Sequence, residues 1–154
     1  MAALDETPKA PRSLLIVFWA LVVAFVALIL TVLFPDVIGF FRPAFLSLTA
    51  ICFLLGLALL ILSVRWKERT LLRTFWILAS ASTAGFALGS VLHNVFYALA
   101  TVTDQWPILS GAMQVLEGAF FLIAVLLCPL AFVVGTVGAI VLIVRGRAPA
   151  ATTA

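Results

Sequence analysis

Charge is what this sequence has least of. Asp, Glu, Lys and Arg make up 10% of its 154 residues, against about 25% in an ordinary soluble domain. So few polar groups cannot cover a folded surface in water. With 66% hydrophobic residues and a mean hydropathy of +1.33, the composition points to lipid as the solvent. Histidine and tyrosine are nearly missing as well: His93 and Tyr97 are the sole examples. One histidine excludes zinc signatures built on histidine pairs, and no P-loop, GxSxG or HExxH occurs, so the sequence carries no hydrolase or zinc-enzyme signature and leans away from an enzyme without deciding the point. No metal site is expected, because His93, Cys52 and Cys128 cannot converge if both thiols lie mid-span. Without a CxxC the cysteines read as small packing residues rather than a redox pair. The net charge of +3 comes with no basic run able to track a phosphate backbone, so nucleic acid is excluded as a partner.

What the sequence does hold is four long apolar runs, at about 13–34, 43–64, 70–102 and 112–144. Each exceeds the ~20 residues that cross ~30 Å of hydrocarbon. The expected fold is an all-α integral membrane protein, with four transmembrane helices in an antiparallel, left-handed bundle. The third and fourth runs are long enough, at about 1.5 Å per residue, that they must tilt, bend or project beyond the hydrocarbon. Pro129 is the natural bend in the fourth, since it removes a backbone donor.

Orientation follows from the basic residues. Lys9 and Arg12 precede the first run, Arg65, Lys67, Arg69 and Arg73 cluster between the second and third, and Arg145 and Arg147 follow the fourth. Only Arg42 falls on the other side. The positive-inside rule then places both termini and the "RWKER" loop in the cytoplasm. The expected location is the plasma or inner membrane, with residues 1–12 and 145–154 as cytoplasmic tails. The first apolar run is too long for a signal-peptide core and lacks a small-residue cleavage pattern. Phe40, Phe41, Tyr97 and Trp106 fall near the outer interface, and Trp66, Phe75 and Trp76 near the inner one, as aromatic belts do.

At about 100° per residue, the third run sorts into two faces. Ser82, Thr83, Phe86, Gly89, Ser90, His93, Asn94 and Tyr97 share one; Leu88, Val91, Val95 and Leu99 lie opposite. The polar face must look into protein, because an unpaired polar group in hydrocarbon costs several kcal/mol. Helix-packing residues on the third and fourth runs are Ser82, Gly85, Gly89, Ala124, Cys128, Ala131 and Gly135. Those on the fourth recur at steps of three and four, a seam that lets backbones approach closely. The first run offers Ala20, Ala24, Ala27 and Thr31 in the same pattern, the second Thr49, Cys52, Gly56 and Ser63. A register with His93 level with Glu117 sets Gly89 against Phe121, Phe86 against Ala124 and Ser82 against Cys128.

That register makes His93, Asn94, Tyr97, Gln114 and Glu117 the candidate ligand or proton site. Ionisable residues in spans are functional suspects, yet an interhelical hydrogen-bond clasp explains the same cluster. Three readings stay open. The first is a non-catalytic accessory or scaffold subunit of a membrane complex, in contact with lipid and with other membrane proteins or its own copies. The second is a proton-coupled small transporter working as an oligomer around the His93–Glu117 pair. The third is a membrane anchor in which His93 binds a quinone or ligates haem, with Met113 or a second His93 completing the axial pair.

Overall fold

The structure, a computed structural model, describes residues 11–34, 42–67 and 70–145. Most of both expected tails, and the expected belt residues Phe40 and Phe41, lie outside this range. Every described element is helical: α1 (Arg12–Leu33), α2 (Arg42–Arg65), α3 (Leu71–Val102), α4 (Pro107–Leu122), a π-helical turn (Ile123–Leu127) and α5 (Cys128–Arg145). The last three run on as one rod, Pro107–Arg145, so four helical rods are long and apolar enough to cross a membrane. A chain this apolar leaves its backbone few polar partners, and helix satisfies the backbone internally.

Local chemistry fixes the helix ends. Thr70 caps α3, its hydroxyl accepting the Arg73 N–H at 3.3 Å. The Arg73 side chain then turns back to α2, donating to the Ser63 carbonyl at 2.9 Å and the Val64 carbonyl at 3.3 Å. These are among the last carbonyls of α2, which have no partner within their own helix. At the opposite end of α3 the chain turns quickly, with the Trp106 N–H on the Thr103 carbonyl at 2.8 Å. Pro107 then opens α4, its fixed φ suited to a first helical position and its missing N–H no loss there. The segment "PILSG", expected in a loop, is helical, and the fourth rod starts at Pro107 rather than near Ala112.

Pro129 marks a change of helix geometry, as expected of it. The π-helical turn directly precedes it, and the Cys128 N–H reaches the Ile123 carbonyl, five residues back. A proline ring crowds the carbonyl four residues before it and cannot donate to it. Widening that turn makes room for the ring.

α3 is the hub, packed along α2 on one side and along α4, the π turn and α5 on the other. α1 lies along α2 and reaches the other helices through aromatic rings. Phe25 stacks on Phe132 of α5 at 3.9 Å and meets Phe86 of α3 edge-on at 6.3 Å. Phe18 lies 6.2 Å from Trp76. Of the alanine stripe expected for α1 only Ala24 lies in the core: Ala20 is exposed, Ala27 and Thr31 are half-buried, and Leu14, Phe18, Leu21, Phe25 and Leu28 are buried around Ala24. Trp76, expected in the inner aromatic belt, is fully buried against Phe18 and Trp66. On α2 the expected small residues do face inward, with Cys52, Gly56 and Ser63 buried and Thr49 half-buried.

The α3–α5 contact is the tightest. A Cβ on Gly135 would stand 2.7 Å from the Ala79 nitrogen and 2.9 Å from the Phe75 carbonyl oxygen, so only glycine fits. Further along, Gly85 faces the Cys128 sulfur and Gly89 faces Ala124. Small therefore meets small, and the expected pairings of Gly89 with Phe121 and Ser82 with Cys128 give way to this closer fit. Ala131 is only half-buried, Phe132 taking the inward place beside it. Both cysteines are free and buried. The buried hydroxyls of Ser80, Ser82 and Thr83 bond to carbonyls of their own helix at 2.7–2.9 Å, which makes a polar face compatible with an apolar interior.

Candidate functional site

α3 and α4 bring two ionisable groups together. His93 Nδ1 lies 3.3 Å from the Glu117 backbone carbonyl and 3.9 Å from its carboxylate oxygen Oε1. Read as a donor, Nδ1–H bonds the carbonyl and the carboxylate stands just beyond, within ion-pair reach. Both side chains are about three-quarters covered, at 28% and 24% exposure. The Phe121 ring covers the imidazole at 5.3 Å, tilted by 50°. Phe121 therefore serves the histidine rather than packing on Gly89.

The other three candidates do not join this pair. Asn94 is exposed, and its amide donates to the Ser90 carbonyl one turn back at 2.7 Å. Tyr97 is 60% exposed, as an interfacial anchor would be. The Gln114 amide donates to Ser110 Oγ at 3.4 Å, and Ser110 donates to the Ala100 carbonyl of α3 at 3.2 Å. This second polar link between α3 and α4 lies nearer the turn than the His93–Glu117 contact. Ser110 is the residue that sequence reasoning missed. It falls before the fourth apolar run, yet its spacing of four from Gln114 sets both on one helical face.

The site has a definite height. α1 and α3 rise together, Phe18 beside Trp76 and Phe25 beside Phe86, so at 1.5 Å per residue α1 ends about level with Asn94. The His93–Glu117 contact thus sits where α1 stops. Beyond it α3 and α4 continue together to the Thr103–Trp106 turn.

Chemically, the arrangement can hold two helices in register and can pass a proton between an imidazole and a carboxylate. Nδ1 faces Glu117, which leaves Nε2 as the nitrogen that could meet a ligand. Among the described residues no three His, Cys, Asp or Glu groups come close enough to hold a metal ion. No family model matches the chain, and no curated protein or solved structure matches it.

Proposed function

We propose that the chain is a small multi-pass membrane protein with a non-catalytic role, an accessory or scaffold subunit of a membrane complex. In this reading the four rods cross the bilayer as an antiparallel, left-handed bundle, with both termini and the Arg65–Arg73 connection in the cytoplasm of a plasma or inner membrane. The His93–Glu117 contact is then a clasp that fixes α4 on α3. The observation that carries the reading is that this pair is engaged across two helices at the end of α1. A proton path needs a titrating group at depth, and the polar side chains there are hydroxyls, of which Ser80 and Thr83 are bonded to their own helix.

Several apolar faces support a role in assembly, among them Leu88, Val91 and Val95 of α3, which are exposed and uncharged. Such faces contact lipid or another membrane protein. The test is purification of the tagged full chain after gentle solubilisation, followed by cross-linking and mass analysis. Stoichiometric partner proteins cross-linked through these faces are the expected result. A preparation containing this chain alone would overturn the accessory reading.

A further inference from the structure

α4 is a helix of 16 residues in which Ser110 is the one buried residue. Its contacts are with α3 and the π turn. Its far side carries Ile108, Ala112, Val115, Ala119 and Leu122, all exposed, with Ile108 at 92% and Val115 at 72%. The steps between them are four, three, four, three, the spacing of a coiled-coil seam. The nearest charges are Asp104, in the turn, and Glu117, which faces His93. No Lys or Arg occurs between Arg73 and Arg145. The seam is apolar, uncharged and uncovered.

On the membrane reading given above, lipid tails do not cover most of it. From Arg145 a crossing of ~30 Å takes about 20 residues and ends near Val125. Counting the same length from Arg73 along α3 ends near His93, and from Arg12 along α1 near Val32. The last two counts agree with the contacts that set the end of α1 level with Asn94 and put the edge beside Glu117, which His93 touches, so Ile108, Ala112 and Val115 stand above the hydrocarbon while Ala119 and Leu122 lie at or just inside its edge. With Leu109 and Leu116 at its flank, the seam presents on the order of 600 Å² of apolar surface, near the ~800 Å² that one side of a standard interface contributes. Monomers seldom leave so much apolar surface open to water.

We propose that a second copy of this chain covers α4, pairing helix to helix about a two-fold axis along the membrane normal. That axis sets the two α4 helices side by side and in the same direction. Each seam residue then meets its own counterpart. Ala112 and Ala119 let the backbones approach, and Ile108, Val115 and Leu122 form the layers between them. An uncharged face that repeats every seven residues is complementary to itself, with no like charges to separate the copies. The two polar links on the inner side, His93 to Glu117 and Gln114 through Ser110 to Ala100, turn the seam outward.

The proposal rests on the membrane reading, and one experiment separates the two. The full chain, with Cys52→Ala and Cys128→Ala, is reconstituted in phosphatidylcholine vesicles carrying Val115→Cys, Ala119→Cys or Met113→Cys. Oxidative cross-linking is expected to give dimers at positions 115 and 119 and at least tenfold less at 113, on the other side of α4. Ala119→Trp, in the protein without engineered cysteines, is expected to shift the dimer to monomer in sedimentation while helicity by circular dichroism holds. Equal cross-linking at all three positions, a monomer at every protein-to-lipid ratio, or quenching of a label at position 115 by spin-labelled lipid tails would each overturn the pairing. Release of the chain by alkaline carbonate would overturn the membrane reading and the pairing with it. Retention of a monomer overturns the pairing alone.

Discussion

His93 makes two contacts with one residue, and they differ in kind. The hydrogen bond goes to the Glu117 backbone, while the carboxylate is the more distant partner at 3.9 Å. Replacing the carboxylate therefore removes less than replacing the imidazole. Glu117→Gln is expected to lower stability by less than ~0.5 kcal/mol, and His93→Ala by about 1–2 kcal/mol, within the range for interhelical hydrogen bonds in membranes. Reversible unfolding in mixed micelles measures both; equal losses would show that the carboxylate carries the contact. Glycines offer a sharper contrast. Gly135→Ala puts a methyl into the Phe75–Ala79 backbone, and a loss of about 1–3 kcal/mol is expected from the overpacking. Gly118 has nothing within 4 Å of its Cβ position. Gly118→Ala should be neutral or stabilising by up to ~1 kcal/mol, since helix propensity rises. A similar loss at both sites would contradict the close α3–α5 approach.

Among elements, the fourth rod is the informative one. Its π-helical turn takes up one residue more than an α turn would, so the faces of α4 and α5 are offset by that extra residue. Deleting Val125 together with Pro129→Ala, which removes the ring that needs the wider turn, should return the turn to α geometry and leave Ala124 and Cys128 both facing α3. Deleting Leu130 should rotate the rest of α5 by about 100°, carrying Gly135 off the Ala79 backbone. The first deletion is expected to keep near wild-type stability and the second to lose most of it, measured by the same unfolding assay. The reverse order would mean that the extra residue of the π turn, and not the position of Gly135 on α5, holds the packing together. The α2–α3 corner shows the same economy of parts: Arg73, one residue of a cationic cluster in the sequence, also closes the carbonyl end of α2.

For the whole molecule the test is topology. Lys67 and Gln105 are both exposed, one between α2 and α3 and the other in the α3–α4 turn. In right-side-out vesicles an impermeant thiol reagent should label Gln105→Cys and leave Lys67→Cys untouched until the membrane is permeabilised. Labelling of both from one side would remove the basis for four crossings and for the assembly role drawn from them. At this scale the molecule divides in two. α1, α2, α5 and most of α3 share a core built on Phe18, Phe25, Trp76 and Phe132. The α3–α4 hairpin rises past the end of α1, holding its two polar links inward and its apolar seam outward.

How much of this was legible in the sequence depended on polarity contrast. Four long apolar helices could be read because charges and prolines interrupt the runs, and the His93–Glu117 contact because those are the rare ionisable groups within them. The seams of α2 and α5 were largely readable, since glycine, serine and cysteine stand out among leucines. The packing face of α1 was not. Phe18 and Phe25 suit a lipid-facing surface as well as a core, so no periodic signal separates the two, and of the alanines expected to mark the contact only Ala24 lies within it. Asn94 and Gln114 bond elsewhere than to the His93–Glu117 pair for a related reason. A wheel assigns them a face, but the bonds to Ser90 and Ser110 are local choices that depend on rotamer and backbone. Composition and the few charges by themselves determined how many apolar helices there are and where each stops. Which face of each turns inward, and how closely backbones approach, only the tertiary structure decided, because among uniformly apolar side chains it is shape, not solubility, that selects the contact.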